Sequence, residues 1–199
     1  IMEQGRYNLI CIHSNFTPQT NMAFEVARIA RKVLPESIII AGGINARNMT
    51  RRFLLTGLFE LICLSEGELA IKEIVQRIRN LESLKGIPGT IYKDGQVTPP
   101  KIITNLDELP FPAWDKLPFD KYDLIASPHG VDLTKPQRYA PIMTSRGCPF
   151  SCTFCHISIE KQNQLEIGDL RFKSVERVIQ EINILKRLGV TKLFIEDDS

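Results

Sequence analysis

Three cysteines fall within eight residues of this 199-residue chain, at Cys148, Cys152 and Cys155. Thiolates bind iron–sulfur clusters, and three of them can occupy three irons of a cubane four-iron cluster while the fourth iron stays open. Clusters of the ferredoxin type, which only carry electrons, use four cysteines. The spacing Cys-x3-Cys-x2-Cys therefore predicts a cluster whose open iron takes an exogenous ligand.

Zinc is the competing interpretation of the same residues, with His156 as a fourth ligand. Structural zinc sites usually draw two ligand pairs from separated knuckles, whereas these four candidates fall within nine residues. A tetrahedron closed that tightly would strain the loop. A zinc-stabilised interaction module without catalysis remains the alternative, together with a chance or reactive-thiol cluster.

The composition is that of a soluble globular protein, with 43% hydrophobic and 24% charged residues. Lys and Arg number 25 against 23 Asp and Glu, which gives no electrostatic reason to expect nucleic acid as a partner. No apolar run approaches the roughly 20 residues of a membrane helix, so no membrane association is expected. An odd count of five cysteines argues against a disulfide framework and predicts a cytoplasmic protein. Cys11 and Cys63 alternate with Ile and Leu and are predicted to lie in the core.

The elements that must position these residues begin with strand and helix alternation in the first third. Three apolar runs predict buried strands, each followed by a helical pattern: Tyr7 to Ser14, Ser37 to Ala41 and Phe59 to Leu64. The helix after the second strand is predicted around Asn48 to Leu55. This alternation indicates an α/β fold with a doubly wound parallel sheet.

Ligands of such sheets bind beyond the carboxyl ends of the strands. Ser14, Gly42-Gly43 and Glu66-Gly67 follow the three predicted strands and would share that rim. Glycines there let a ligand approach the backbone closely.

The middle of the chain differs, because ten of the twelve prolines fall between Pro88 and Pro149. Prolines exclude regular helix from most of this region, and Lys93-Asp94-Gly95 indicates a hairpin. Alternation resumes with a strand over Tyr139 to Thr144, a helix capped by Ser174, and a strand over Lys192 to Ile195. We therefore predict three regions: an α/β domain over 1–85, a connector with a hairpin over 86–138, and the opening of a larger α/β unit over 139–199.

The segment from Ser145 to His156, Ser-Arg-Gly-Cys-Pro-Phe-Ser-Cys-Thr-Phe-Cys-His, resembles the cluster-binding loop of the radical S-adenosylmethionine (SAM) superfamily. The resemblance implies that Cys148, Cys152 and Cys155 hold a [4Fe-4S] cluster and that SAM binds the open iron. One electron then cleaves the sulfonium to a 5'-deoxyadenosyl radical, with Phe154 beside the adenine. The family fold is a full or partial (β/α) barrel, with this loop after its first strand.

Glu196-Asp197-Asp198 stands where the superfamily often has Gly-Gly-Glu at the end of the second strand. The resemblance therefore implies that Asp197 meets the amino group of SAM. A solvated acidic turn is the alternative interpretation of these residues.

The first third resembles the Rossmann-like cobalamin-binding domain that precedes the barrel in one branch of this superfamily. Ser14-Asn15-Phe16, Gly42-Gly43 and Ser65-Glu66-Gly67-Glu68 follow that branch's order, and Leu109 to Trp114 resembles its connector. Ser14, Gly42 and Gly43 would then line the slot for the nucleotide tail of cobalamin. The branch's Asp-x-His-x-x-Gly loop, whose histidine can bind cobalt, is expected upstream of this stretch.

The resemblance implies a fragment of a cobalamin-dependent radical SAM enzyme that transfers methyl groups or rearranges or cyclises rings. Its substrate would be a small molecule or biosynthetic intermediate, and its electron donor a ferredoxin or flavodoxin. This stretch alone is expected to be inactive. A methylthiotransferase-like enzyme without cobalamin is the second hypothesis.

Overall fold

The computed structural model describes residues 7–122, 138–162 and 168–198. The chain divides into two compact units, Ile1–Ile102 and Ile103–Ser199. Within the described residues, the first unit carries a five-stranded sheet and the second carries two separate strand pairs.

The first unit is a mixed α/β structure whose strands lie side by side in chain order. The strands are β1 (Leu9–His13), β2 (Ile38–Gly42), β3 (Leu61–Cys63), β4 (Thr90–Tyr92) and β5 (Val97–Thr98). The helices are α1 (Gln19–Val33), α2 (Ile44–Asn48), α3 (Thr50–Leu54) and α4 (Gly67–Arg79). The first three strands are parallel and are joined through helices, which confirms the predicted α/β fold with a parallel sheet.

The predicted hairpin forms, but it belongs to this same sheet. β4 pairs antiparallel with both β3 and β5, and the turn places Gly95 at φ 90°. The hairpin thereby supplies hydrogen-bonding partners along β3, which would otherwise be an edge strand. The first unit consequently runs to Ile102, whereas the sequence predicted an end at residue 85 and a hairpin within the connector.

Both faces of the sheet carry apolar cores, because successive side chains of a strand point to opposite faces. On one face Phe24, Phe53 and Phe59 form an aromatic cluster with ring centroids 4.9–6.4 Å apart. On the other face Leu61 packs with Ile74 of α4, and both side chains are fully buried. Each such side chain contributes about 1.5–3 kcal/mol of hydrophobic stabilisation.

Two details of the first unit differ from the sequence prediction. The helix predicted around 48–55 corresponds to α3, and the structure adds the short helix α2 before it; the two are separated at Met49, which has φ −115° and ψ 31°. Cys11 is exposed, whereas Cys63 is buried as predicted. Cys11 lies on the sheet face that α4 covers, but the core of that face is centred on β2 and β3.

The second unit contains α5 (Phe119–Tyr122), β6 (Tyr139–Ile142), β7 (Ser145–Arg146), α6 (His156–Gln162), β8 (Arg171–Phe172), α7 (Val175–Arg187) and β9 (Lys192–Ile195). β6 and β9 pair in parallel, and β7 and β8 pair antiparallel. The hydroxyl of Ser174 accepts a 3.1 Å hydrogen bond from the Arg177 amide, which confirms the predicted helix cap. The described strands of this unit do not close into a barrel. None of the helices in the described ranges is long and apolar enough to cross a membrane.

The proline-rich segment after Ile102 packs onto α7. Asp107 Oδ1 accepts a 2.9 Å hydrogen bond from the Ser174 amide, and the Arg177 guanidinium lies 3.4 Å from the centroid of the Phe111 ring. Leu106 is almost completely buried. Part of the predicted connector is therefore an ordered portion of the second unit.

Candidate functional site

The three clustered cysteines lie in one irregular segment of the second unit. β7 ends at Arg146 and α6 begins at His156, and the cysteines fall between them. Cys148 and Cys155 are half-buried, Cys152 is exposed, and all three are free thiols. This segment, residues 147–155, is called the cluster loop below.

The start of the cluster loop has little conformational freedom. Gly147 has φ 81°, and an added Cβ would lie 2.3 Å from the carbonyl oxygen of Asp169, so only glycine fits there. The Cys148 amide donates a 3.1 Å hydrogen bond to the carbonyl of Gly168. The segment before β8 thus holds the backbone at the first cysteine.

A lysine of α6 holds the cluster loop from its other side. The Lys161 ammonium donates hydrogen bonds to the carbonyl of Cys148 and, at 3.2 Å, to that of Phe150. The rings of Phe150 and Phe154 are 65% and 90% exposed, so both are accessible to a ligand. The position of Phe154 beside an adenine stays a prediction.

Two aspartates that follow β9 accept hydrogen bonds from the segment that leads into the cluster loop. Asp197 Oδ1 accepts from the amides of Thr144 (2.7 Å) and Ser145 (3.0 Å), and Oδ2 accepts from the Thr144 hydroxyl. Asp198 Oδ2 accepts a 3.0 Å hydrogen bond from the Gly147 amide. Burial alone would raise the pKa of Asp197, but these hydrogen bonds outweigh it and hold that pKa below its ordinary value.

Two of the three predicted rim groups, Ser14 and Gly42-Gly43, come together beyond the ends of β1 and β2, and the third, Glu66-Gly67, lies at the start of α4. The Ser14 amide donates to the carbonyl of Gly42 at 2.9 Å, and Asn15 Oδ1 accepts from the Ile44 amide at 3.1 Å. Gly43 has φ 93°, and an added Cβ would lie 2.6 Å from the Ser14 carbonyl oxygen. Close contact between the two turns therefore requires glycine at this position.

The Ser14 side chain is unusual within this rim. It is fully buried, and its hydroxyl has no hydrogen-bond partner among the described residues. Its neighbours show the ordinary arrangement, because buried Asn45 donates a 3.1 Å hydrogen bond to the Thr20 hydroxyl. An unpaired buried hydroxyl costs about 1–3 kcal/mol, which a ligand atom that pairs with it would recover.

The other candidate ligands are arranged differently. His156 Nδ1 lies 3.5 Å from Glu160 Oε1 one turn along α6, and His13 is exposed at the end of β1. His129 lies outside the described residues. Across 7–122, 138–162 and 168–198, no three His, Cys, Asp or Glu side chains are grouped to hold a single metal ion. A single metal ion needs its ligands around one point, whereas the cysteines of a cubane cluster each bind a different iron.

Three residues of the site carry only weak sequence signals. Lys161 lies six residues after Cys155, and its position in the sequence does not indicate that it binds backbone carbonyls of the cluster loop. Asn15 lies within the motif that contains Ser14, but its cross-turn hydrogen bond depends on the fold. The hydrogen bond between Asp198 and the cluster loop depends on the parallel register of β6 and β9. That register cannot be predicted from the order of the strands along the chain.

No family model matches the chain, but known proteins resemble it in sequence and in fold. An uncharacterized methyltransferase of Pyrococcus horikoshii is 36% identical over 185 residues, covering 89% of this chain and 37% of that protein. The radical SAM methyltransferase TsrM of Kitasatospora setae, solved with cobalamin and a [4Fe-4S] cluster bound, has a TM-score of 0.68 at 19% identity over 99% of this chain and 38% of TsrM. The cobalamin-dependent SAM radical enzyme OxsB, solved with aqua-cobalamin, has a TM-score of 0.72 at 22% identity over 100% of this chain and 26% of OxsB.

The described residues form an α/β unit with three parallel strands, followed along the chain by a loop that carries three free cysteines. The chain is similar in sequence to the Pyrococcus horikoshii methyltransferase, and it shares the fold of TsrM and OxsB, two radical SAM enzymes solved with cobalamin bound. It spans 37%, 38% and 26% of the lengths of the three proteins above.

Proposed function

We propose that the chain is part of a cobalamin-dependent radical SAM enzyme that transfers a methyl group to a small-molecule substrate. The observation that carries the proposal is the set of three free thiols, Cys148, Cys152 and Cys155, on one loop. When bound, the cluster supplies the electron that cleaves the SAM sulfonium, and cobalamin carries the methyl group. A ferredoxin or flavodoxin is the proposed source of that electron.

The residues of the cluster loop fit an iron–sulfur cluster. Three thiols satisfy three irons, which leaves one iron for an exogenous ligand. Gly147 and Lys161 hold the backbone at Cys148, so the first of the three thiols is carried by a segment that is already folded. The exposed Phe154 ring offers an apolar face for the adenine of SAM.

The rim of the first unit fits the polar tail of a large cofactor. Ser14 contributes a buried hydroxyl without a partner, and the turns beyond β1 and β2 meet through Gly43. We assign Ser14, Gly42 and Gly43 to the cobalamin nucleotide slot on this basis and on the likeness in fold to TsrM and OxsB.

Anaerobic reconstitution of the full-length gene product tests the cluster assignment. The expected result is about four irons and four sulfides per chain, with loss of the cluster in Cys152→Ala. Cys11→Ala is the matched control, because it removes an exposed thiol from the first unit and should leave the iron content unchanged. One zinc per chain without sulfide would instead establish the interaction module.

The cobalamin assignment has a separate test. Full-length protein incubated with hydroxocobalamin and passed over a desalting column should retain corrinoid absorbance. A protein that assembles the cluster and cleaves SAM, yet retains no corrinoid, would instead be an enzyme of the methylthiotransferase-like kind. Methyl transfer from labelled SAM to small molecules is the activity to assay once both cofactors are bound.

A further inference from the structure

The two aspartates after β9 are placed by sheet geometry beside the entry to the cluster loop. β6 and β9 are parallel, with Ile142 opposite Ile195, so their carboxyl ends reach the same edge. The Glu196 amide continues this pairing with a 2.8 Å hydrogen bond to the Ile142 carbonyl. The next residue, Asp197, consequently lies beside Thr144.

Four hydrogen-bond donors within residues 144–147 donate to the two carboxylates. Asp197 accepts from two backbone amides and the Thr144 hydroxyl, and Asp198 accepts from the Gly147 amide. Gly147 is the residue directly before the first cysteine. The carboxylates therefore fix the backbone over the residues that set the direction in which Cys148 leaves the sheet.

We propose that Asp197 is a positioning residue that fixes the entry to the cluster loop, with Asp198 securing Gly147, rather than the ligand of the SAM amino group. The inference rests on the proposed function, since it requires a cluster at the three cysteines. Three of the roughly four acceptor sites of the Asp197 carboxylate already take hydrogen bonds from the chain, so a bound ammonium group would find one site left, on Oδ2.

The Asn variant separates the two roles. In Asp197→Asn, the amide oxygen can still accept from the Thr144 and Ser145 amides, and its NH2 group can donate to the Thr144 hydroxyl, which also accepts hydrogen bonds. Asp197→Ala loses all three contacts. Positioning thus survives in Asn and fails in Ala, whereas binding of a cationic amino group is weakened in both.

The experiment uses the reconstituted full-length gene product in four forms: wild type, Asp197→Asn, Asp197→Ala and Asp169→Ala. Asp169 is the matched control, because its exposed carboxylate lies near the same loop and only its backbone carbonyl faces Gly147. The measurements are iron and sulfide content, the rate of iron loss to a chelator, the EPR spectrum of the reduced cluster, and the SAM concentration that half-shifts that spectrum.

We expect Asp197→Ala to lose iron roughly 10-fold faster than wild type and to show a broadened EPR signal, as for loss of an outer-shell partner of a metal site. Asp197→Asn and Asp169→Ala should match the wild type in iron retention, and Asp197→Asn should bind SAM within about 2-fold of wild type. A full cluster in Asp197→Asn with SAM binding weakened 10-fold or more would overturn the proposal and restore the direct role. Wild-type iron retention in Asp197→Ala would also overturn it.

Hydrogen exchange of the protein before reconstitution distinguishes a local effect on residues 144–147 from a general folding defect. In Asp197→Ala the amides of residues 144–147 should exchange faster than in wild type, while the amides of β1 keep their wild-type rates. Unchanged exchange at 144–147 would contradict the positioning role. If the wild-type protein itself takes up no iron and sulfide, the proposed function fails instead, and that outcome is distinct from those above.

Discussion

The indole Nε1 of Trp114 donates a 3.1 Å hydrogen bond to Oε1 of Glu181. Both residues are buried, with 8% and 2% of their surfaces exposed. The ammonium of Lys173 donates to the other oxygen of Glu181 at 2.7 Å. A buried carboxylate is tolerated when its oxygens are paired in this way, so the contact ties the proline-rich segment to α7.

Replacing Trp114 should therefore weaken the second unit. Trp114→Phe retains an aromatic ring but leaves Glu181 Oε1 without its donor, which should lower the free energy of unfolding by about 1–3 kcal/mol. Urea unfolding of the chain, followed by far-UV circular dichroism, measures the change. Lys116→Ala, in the same 3₁₀ turn and largely exposed, should stay within about 0.5 kcal/mol of wild type. A loss no larger than this control would contradict the prediction.

Ser14 should matter to a ligand more than to the fold. Ser14→Ala removes a buried hydroxyl that has no partner in the described part of the chain, so the stability of the free protein should stay equal or rise. Its affinity for hydroxocobalamin, measured by equilibrium dialysis of the full-length gene product, should fall about 2- to 10-fold. Ser158→Ala is the control, because its hydroxyl is also buried and unpaired but lies on α6. Equal cobalamin affinity in the two variants would show that Ser14 does not line the nucleotide slot.

Much of the fold follows from local pattern. Apolar runs at β1, β2 and β3 and helical spacing in α1 and α4 are visible in the chain, because burial on sheet faces and helix faces dictates residue type. The strand at Lys192–Ile195 follows for the same reason, and the cap at Ser174 follows because a serine hydroxyl can accept from a free amide of the first helical turn. The cysteine motif is likewise local, so its position after the strand expected over Tyr139 to Thr144 could be predicted.

The rest depends on which elements become neighbours. Asp-Gly predicts a turn, but only the pairing of β4 with β3 places the hairpin in the first unit. Cys11 and Cys63 have similar sequence surroundings, yet core packing covers only Cys63. The partners of Asp197 depend on the parallel register of β6 with β9, a long-range pairing that no short motif encodes.

Acid should remove the contribution of Asp197 to stability. Its pKa in the folded chain lies below the ordinary value of 3.8, so its hydrogen bonds stabilise the fold fully above that value. This contribution is lost as the pH falls below 3.8 through the folded pKa. The difference in unfolding free energy between wild type and Asp197→Asn should therefore shrink between about pH 6 and pH 2.5. Urea titrations across that range measure it, and a constant difference would show that the carboxylate does not titrate in this way.

Thiol labelling of the chain should distinguish the two isolated cysteines. Burial, with the nearby Cys11 thiol, raises the pKa of Cys63 to about 11, and the side chain is only 9% exposed. At about pH 8 roughly one Cys63 in a thousand is the reactive thiolate. Iodoacetamide should therefore modify exposed Cys11 well before Cys63, as measured by peptide mass spectrometry. In urea the two rates should converge, which serves as the internal control; equal rates in the native chain would contradict the burial of Cys63.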